Sequence, residues 1–257
     1  MSRKLIPILM LAVLTMLVGC SEEAERPTIP AAEVEKAASG DYGINILPPD
    51  ATAHGKTYAE WSALWWQWLW SIPVDQNPGL DATGDFVDVG QSGKVWFLAP
   101  AYYGQWERTA TIPTGTMLFI DLAGFCVSLS MGDGADEAEL RDVATWFVDN
   151  VVSNVILEVD GVRLQNVEDF RFASPPGLYD VWLPEDNMWA WFGYPHGEGL
   201  YENDAVSEGY YALLPPLSAG EHTIFLSADF GDPYNDQIQV MYHLTVEGGR
   251  GHRHRHN

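Results

Sequence analysis

Residues 57–70 read TYAEWSALWWQWLW, with five tryptophans in fourteen residues, and the fold prediction depends on this stretch. Thr57 and Glu60 form a capping-box pattern, which predicts the start of a helix, and Pro73 predicts its end. At about 100° per residue, apolar side chains cover nearly the whole circumference of this helix and leave a narrow polar strip. The strip consists of Glu60, Ala63 and Gln67. Such a helix is buried on more than one side, so we expect it to anchor the domain.

Trp66 and Trp70 lie roughly opposite the main apolar face of this helix. One interpretation is that they reach the surface and form a stacking platform for a sugar or another flat ligand. The other is that all five tryptophans belong to the core, which is the more common role of tryptophans at helical spacing. The pattern favours the core interpretation, and both stay open from sequence alone.

The N-terminus has the pattern of an export signal. Arg3 and Lys4 precede an apolar run, residues 5–18, that is too short to span a membrane. The run ends in LVGC, residues 17–20, which resembles the bacterial lipobox. The resemblance implies that residues 1–19 are removed and that Cys20 becomes the acylated first residue, a stable anchor. By resemblance to lipoprotein sorting, Ser21 implies the outer membrane. The alternative is an ordinary secretory signal with a chance cysteine.

Composition divides the rest of the chain into three parts. Residues 20–40 are acidic, contain alanine and proline, lack aromatic residues, and are predicted to be a flexible tether after Cys20. Residues 41–247 are predicted to form one domain. Residues 248–257, GGRGHRHRHN, are predicted to be a disordered tail. The tail could bind Zn²⁺, Cu²⁺ or Ni²⁺ loosely or contact an acidic surface, but its arginines repel cations, which favours a solvated tail.

The formal net charge of −23 argues against nucleic acid as a partner and against electrostatic docking to anionic lipid. It suits an exported protein that must stay soluble. Cys126 is the only cysteine besides Cys20, so no intrachain disulfide is expected in the acylated form. The apolar neighbours of Cys126 predict a buried, unreactive thiol.

Beyond the tryptophan helix the pattern is mainly that of strands. A second helix is predicted at residues 136–153; its single apolar stripe indicates that it lies against a sheet. Residues 178–211 are predicted to be a long loop rich in aromatic residues. Strands are predicted at residues 94–98, 108–112, 117–122, 155–164 (a hairpin turning at Asp160-Gly161), 170–172, 221–227 and 238–246.

Pro113-Thr114-Gly115 predicts a turn that joins the second and third of these strands as antiparallel neighbours. We therefore predict a mainly β fold, an antiparallel β-sandwich of immunoglobulin-like or jelly-roll-like type. Two helices and the long aromatic loop decorate it.

Several segments resemble known proteins. PLSAGEHTIFLSADF with IQVMYHLTV is similar to the last two strands of bacterial immunoglobulin-like modules. Together with GKTYAEWSALWWQWLWSIP, GQSGKVWFLA and RTATIPTGTMLF, the chain from Gly55 to Val246 resembles a family of uncharacterised exported bacterial proteins. Relatives in that family often carry cysteines where Asp88 and Ala110 stand, so the resemblance implies loss of their disulfide. It implies no activity and no functional residues.

No nucleophile, phosphate-loop, dinucleotide or zinc motif occurs in the sequence. A hydrolase could still use a pair of carboxylates, which needs no local motif. Glu60 is the acid to watch, because burial beside tryptophans would raise its pKa. Its alternative role is the helix cap described above.

A calcium site is a second chemical possibility, since Ca²⁺ takes oxygen ligands from loops. The candidates are the loop residues Asp229, Asp232, Asn235 and Asp236; Asp75, Asp81 and Asp85 are weaker candidates. None has EF-hand spacing, and ordinary Asp/Asn turn chemistry explains them equally well. No other cofactor is expected.

The aromatic loop supplies the preferred ligand-binding candidates, Trp189, Trp191 and Tyr194, with Trp66 and Trp70 as further candidates. Exposed rings in such a loop are costly unless they contact a partner. The alternative is that the rings fold back as a lid over the sandwich. The leading hypothesis is a lipid-anchored envelope module that binds glycan or protein. A polysaccharide hydrolase and a structural envelope protein without ligand are the alternatives, and an enzyme is the less favoured class.

Overall fold

The computed structural model describes residues 42–194 and 196–247. The predicted signal peptide, Cys20, the tether and the His/Arg tail lie outside the described residues. One large hydrophobic cluster extends from Ile44 to Val246, and a smaller one surrounds Leu140. In the described part of the chain, no helix is long and apolar enough to cross a membrane.

Two five-stranded sheets form the centre of the fold, as the β-sandwich prediction requires. The first sheet contains β3 (Val95–Leu98), β5 (Met117–Ser128), β8 (Arg171–Ala173), β9 (Tyr179–Leu183) and β10 (Gly199–Leu214). The second contains β4 (Gln105–Ile112), β6 (Val152–Val159), β7 (Val162–Arg163), β11 (Gly220–Phe230) and β12 (Asp236–Val246). The first has the order β3-β5-β10-β8, with β9 also paired to β10, and the second the order β4-β12-β11-β6-β7. A small separate pair joins β1 (Thr52–Ala53) and β2 (Lys56–Thr57).

Helices cover both faces of the first sheet. Helix α1 (Tyr58–Trp70) packs on the face that carries Phe119 and Tyr211. Helix α2 (Glu137–Asn150) packs on the opposite face, where Leu140 and Ala144 meet Val127 and Val206. Contacts of β5 with β6 and β11 join the two sheets. A third, four-residue helix, α3 (Met188–Trp191), lies within the segment between β9 and β10.

The tryptophan helix is a core element, as the favoured interpretation requires. Its capping box is formed by Thr57 and Glu60. Four indole N–H groups find acceptors in surrounding segments: Trp61 at Ala53 O, Trp65 at Leu98 O, Trp66 at the Tyr211 hydroxyl and Trp68 at Val89 O. Because buried indoles need both apolar contact and a hydrogen-bond acceptor, these bonds fix the rotation of α1 about its axis.

Several further predictions are confirmed. Helix α2 begins after Asp136, whose side chain accepts a hydrogen bond from the Glu139 backbone N–H, and it lies against a sheet. Asp160 and Gly161 both have positive φ in the turn between β6 and β7, as the DG hairpin signal predicts. The two C-terminal strands pair in antiparallel register along their whole length.

The predicted pairing of β4 with β5 is wrong. β4 pairs in parallel with β12 in the second sheet, whereas β5 pairs with β3 and β10 in the first. The turn at Pro113 therefore carries the chain from one sheet to the other. Residues 117–123 are buried without alternation, as expected for a strand covered on both faces, whereas β4 alternates.

The prediction of a long loop at residues 178–211 is also wrong. This region contains β9, α3 and most of β10, the longest strand of the described chain at 16 residues. The polar start of β10, with Glu202, Asn203 and Asp204, concealed its strand pattern. Asp204 is nevertheless buried, so polarity there does not indicate exposure.

Side-chain hydrogen bonds hold the turn-rich segment that follows α1. The Asp81 carboxylate accepts bonds from the backbone N–H groups of Thr83 and Phe86. The buried Arg108 guanidinium donates to the carbonyl oxygens of Asp81 and Ala99. Arg108 thus joins this segment to β4, a role that its sequence context did not indicate.

Candidate binding cleft

An open cleft of about 280 Å³ lies between α1 and the segment at residues 175–179. On the α1 side it is lined by the predicted polar strip, together with Leu64 and, just before the helix, Lys56. The facing wall is Pro175, Pro176, Gly177, Leu178 and Tyr179. Apolar side chains therefore lie beside an ammonium, a carboxylate and an amide in one concave surface.

The helix cap fixes the carboxylate of Glu60 at this cleft. Its Oε2 accepts hydrogen bonds from the Thr57 backbone N–H at 2.7 Å and the Thr57 hydroxyl at 2.9 Å. These donors, helped by the nearby Lys56 ammonium, hold the pKa of Glu60 below its ordinary value. The expectation of a raised pKa is wrong, because Glu60 lies on the polar strip of α1 rather than among its tryptophans. At neutral pH the cleft therefore presents an ionised acceptor.

Two hydrogen bonds connect the cleft to the sheet beneath it. Gln67 Nε2 donates to the Asp180 carbonyl oxygen at 2.8 Å, which joins α1 to β9. The Tyr179 hydroxyl lies 3.2 Å from Cys126 Sγ. Cys126 is buried, as predicted, and burial raises the pKa of its thiol to about 12. The thiol therefore remains protonated and serves as packing below the cleft.

Helix α2 holds the facing wall in place. Arg141 donates to the carbonyl oxygens of Ser174 at 3.1 Å and Pro175 at 2.6 Å. Glu137 accepts a bond from Arg141 at 2.8 Å and another from the Gly177 backbone N–H at 2.7 Å. The wall is thus preorganised by a charged pair one helical turn apart rather than by its own short loop.

The sequence-predicted aromatic candidates do not come together at one site. Trp66, Trp70 and Trp189 are only 5%, 3% and 0% exposed, so the expectation that they offer rings to a ligand is not met. Trp189 packs against Trp70 and Tyr201, which agrees with the lid interpretation. Trp191 is 47% exposed and Tyr194 is half-buried. None of these five rings lines the cleft.

The calcium candidates are engaged in hydrogen bonds with one another and with neighbouring side chains. Asp229 accepts bonds from Asn154 and Gln237, and Asp232 accepts one from Asn235. Among residues 42–194 and 196–247, no group of three or more His, Cys, Asp or Glu side chains is arranged to hold a metal ion. The geometry therefore agrees with turn chemistry at these positions.

The sequence did not indicate three acids whose pKa is raised: Asp121 and Asp204 are buried, and Asp133 is half-buried. Asp121 lies on β5 facing α1, and burial raises its pKa well above the ordinary range. A local signal existed, since Asp121 is the one acid in the apolar run MLFIDLAGF. Asp133 and Asp204 approach each other through the turn after β5, accepting bonds from the backbone N–H groups of Ser128 and Ser130. Burial, with Asp204 nearby, raises the pKa of Asp133 to about 7.

No protein-family model matches the chain, and no curated protein matches it at a significant level. The resemblance to exported bacterial proteins therefore stays a prediction, and function must be argued from the cleft.

Proposed function

We propose that the protein is a lipid-anchored protein of the bacterial cell envelope that binds a glycan in the cleft beside α1. The observation that carries the proposal is that apolar and polar side chains line the two walls of one cleft. Leu64, Pro175 and Pro176 offer apolar surface to the C–H face of a pyranose. Lys56, Glu60 and Gln67 offer a donor and acceptors to its hydroxyl groups.

The volume of the cleft and the net charge of the chain limit the class of ligand that we propose. The cleft, at about 280 Å³, lies just below the range of about 300–1,000 Å³ that is typical of ligand pockets. A short saccharide segment would therefore fit it better than a folded partner would. The net charge of −23 repels polyanions at long range. We therefore propose a glycan without dense negative charge.

Binding is proposed rather than catalysis. Glycoside hydrolysis commonly uses two carboxyl groups about 5–10 Å apart. Glu60 is the one carboxylate among the residues lining the cleft, and it is tied into the helix cap. The Asp133–Asp204 pair is not part of this lining.

The envelope location rests on the N-terminal sequence. LVGC at residues 17–20 follows a short apolar run with two basic residues before it, and Ser21 supports the outer membrane. An acidic tether of about twenty residues after Cys20 would hold the domain away from the bilayer.

The test begins with a panel of neutral and amino-sugar oligosaccharides and the mature acylated chain in detergent micelles. The best ligand is then titrated into three variants by calorimetry. Lys56→Ala removes a charged donor from the cleft, and loss of about 1 kcal/mol of hydrogen bonding should weaken binding about fivefold. Lys94→Ala removes the same charge from an exposed position outside the cleft lining and should leave the affinity unchanged.

Trp191→Ala tests the competing site in the same experiment. Trp191 is exposed and lies outside the cleft lining, so its loss should not affect binding. If Trp191→Ala abolishes binding while Lys56→Ala has no effect, the aromatic segment is the site and the cleft proposal is wrong.

A further inference from the structure

Five aromatic rings meet where α2 approaches the hairpin of β11 and β12. Phe125 and Phe147 stack with centroids 4.5 Å apart, and Trp146 contacts Phe147 edge-on at 5.3 Å. Phe230 and Tyr234 complete the group, at 5.9 and 6.0 Å from Phe125. We call these five residues the aromatic junction. The sequence does not indicate the aromatic junction, because its members come from four separate segments of the chain.

No member of the aromatic junction is fully buried. Trp146 is 49% exposed, so about half of this large apolar residue is in contact with solvent. Clusters of large rings at a surface are rare without a partner, since each exposed ring keeps apolar area in contact with water. The arrangement therefore differs from the tryptophans of α1, whose rings are enclosed.

Acids surround the aromatic junction. Asp142 lies one helical turn before Trp146, on the same side of α2. Asp232 and Asp236 lie two residues on either side of Tyr234. The single basic residue of α2, Arg141, is engaged by Glu137 and the cleft wall. Asp142, Asp232 and Asp236, which are exposed, thus form an acidic rim beside the aromatic junction.

We infer that the aromatic junction is a docking surface for a basic protein segment, one that places arginine or lysine side chains on the Trp146 ring. A cation over an indole face is attracted by the ring quadrupole, and the rim acids pair with neighbouring cations. Charge complementarity selects this occupant. A second copy of this acidic chain or an anionic lipid surface would be repelled.

The experiment uses the mature acylated chain in detergent micelles and a nine-residue peptide of alternating arginine and glycine as probe. Binding is measured by fluorescence anisotropy in low salt. Trp146→Ala should weaken binding about tenfold, and Trp146→Phe should restore part of the affinity. Trp182→Ala is the matched control, because Trp182 is 45% exposed but makes no ring contact with the aromatic junction. Its affinity should stay within twofold of the unmodified chain.

A second probe tests whether binding requires the positive charge of the peptide. The same peptide with citrulline in place of arginine keeps the shape and loses the charge, and it should bind at least tenfold more weakly. The inference is overturned if Trp146→Ala and Trp182→Ala bind the arginine peptide equally, or if the citrulline peptide binds as well. Because no residue of the aromatic junction lines the glycan cleft, neither outcome changes the proposed glycan site.

Discussion

Arg108 shows how one buried side chain can organise a segment without regular structure. Its guanidinium is enclosed by the rings of Trp106 and Tyr242 and donates to the carbonyl oxygens of Asp81 and Ala99. Buried carbonyl groups that lose a charged donor keep their desolvation cost. The hydrogen bonds of Arg108 therefore help to hold the irregular segment at residues 77–90 against β4.

We expect Arg108→Met to lower the free energy of unfolding by about 3 kcal/mol, because the side-chain volume is largely kept while the charged donor is lost. The Asp81 carbonyl oxygen then loses its side-chain donor, and the Ala99 carbonyl oxygen keeps only the Tyr242 hydroxyl. Urea denaturation monitored by circular dichroism measures this change. Arg163→Met, at an exposed position on β7, should change the free energy by less than about 0.5 kcal/mol. Equal effects of the two substitutions would contradict the assigned role of Arg108.

Asp133 makes stability depend on pH. Its folded-state pKa of about 7 lies above the value of an unfolded aspartate, so the native state holds the proton to higher pH. This contribution is fully present below about pH 4 and is lost as pH rises towards 7, by at most about 1.4 kcal/mol per pH unit. Burial also raises the pKa of Asp121 and of Asp204, so their effect on the pH dependence of stability has the same sign.

Between pH 5 and pH 8, the free energy of unfolding should therefore fall by about 2 kcal/mol less in Asp133→Asn than in the unmodified chain. Asparagine keeps an acceptor for the Ser128 backbone N–H and does not titrate. Urea titrations at both pH values give the comparison, with Asp88→Asn at an exposed site as control. A pH dependence that is unchanged in Asp133→Asn would show that Asp133 titrates normally.

At the scale of elements, the pairing of β5 with β10 depends on a glycine pair. Gly124 and Gly209 face each other across the two strands. A Cβ on Gly209 would lie 2.4 Å from Gly124 Cα and 2.7 Å from the Ala123 carbonyl oxygen. Real Cβ atoms do not approach backbone so closely, so the strands could accept a side chain there only by moving apart.

Gly209→Ala should accordingly cost about 2 kcal/mol or more of folding free energy, since backbone rather than a flexible side chain fills the space. Thermal unfolding followed by circular dichroism would report the loss. Gly197→Ala serves as the control, because its Cβ would meet nothing within 4 Å. If Gly209→Ala unfolds at the same temperature as Gly197→Ala, the close approach of β5 and β10 is not a constraint.

Local sequence signals predicted some helices and turns correctly and some strands incorrectly. Helix α1, helix α2 and the Asp160–Gly161 turn follow from caps and periodicity, which act within a few residues. The pairing of β4 with β12 did not follow, because parallel pairing joins residues distant in sequence and leaves no local turn signal. Likewise, β10 was hidden because its first half is polar, and tertiary contacts bury Asp204 there despite its charge.

At the scale of the whole molecule, part of the candidate site could be predicted and part could not. The polar strip of α1 follows from helical periodicity, and it does line the cleft. The facing wall could not be anticipated, because the hydrogen bonds of Arg141 that hold it connect segments far apart in the chain. The aromatic loop gave a strong compositional signal that the structure largely assigns to packing.

Anchoring of the whole molecule is tested at Cys20. Cys20→Ser removes the thiol that acylation requires, so we expect the chain to move from the membrane fraction to the soluble fraction of the envelope. Immunoblotting of separated fractions measures the distribution, with Cys126→Ser as the control that keeps Cys20. A Cys20→Ser chain that stays in the membrane fraction would contradict lipid anchoring.

The most direct test of the central claim is an NMR map of amide shifts upon addition of the best oligosaccharide from the panel. We expect the shifted amides to cluster at Lys56, Glu60, Gln67 and Gly177, on the two walls of the cleft. Shifts centred on Trp191 or Trp146, with the cleft unaffected, would contradict the account and place the glycan on the exposed rings.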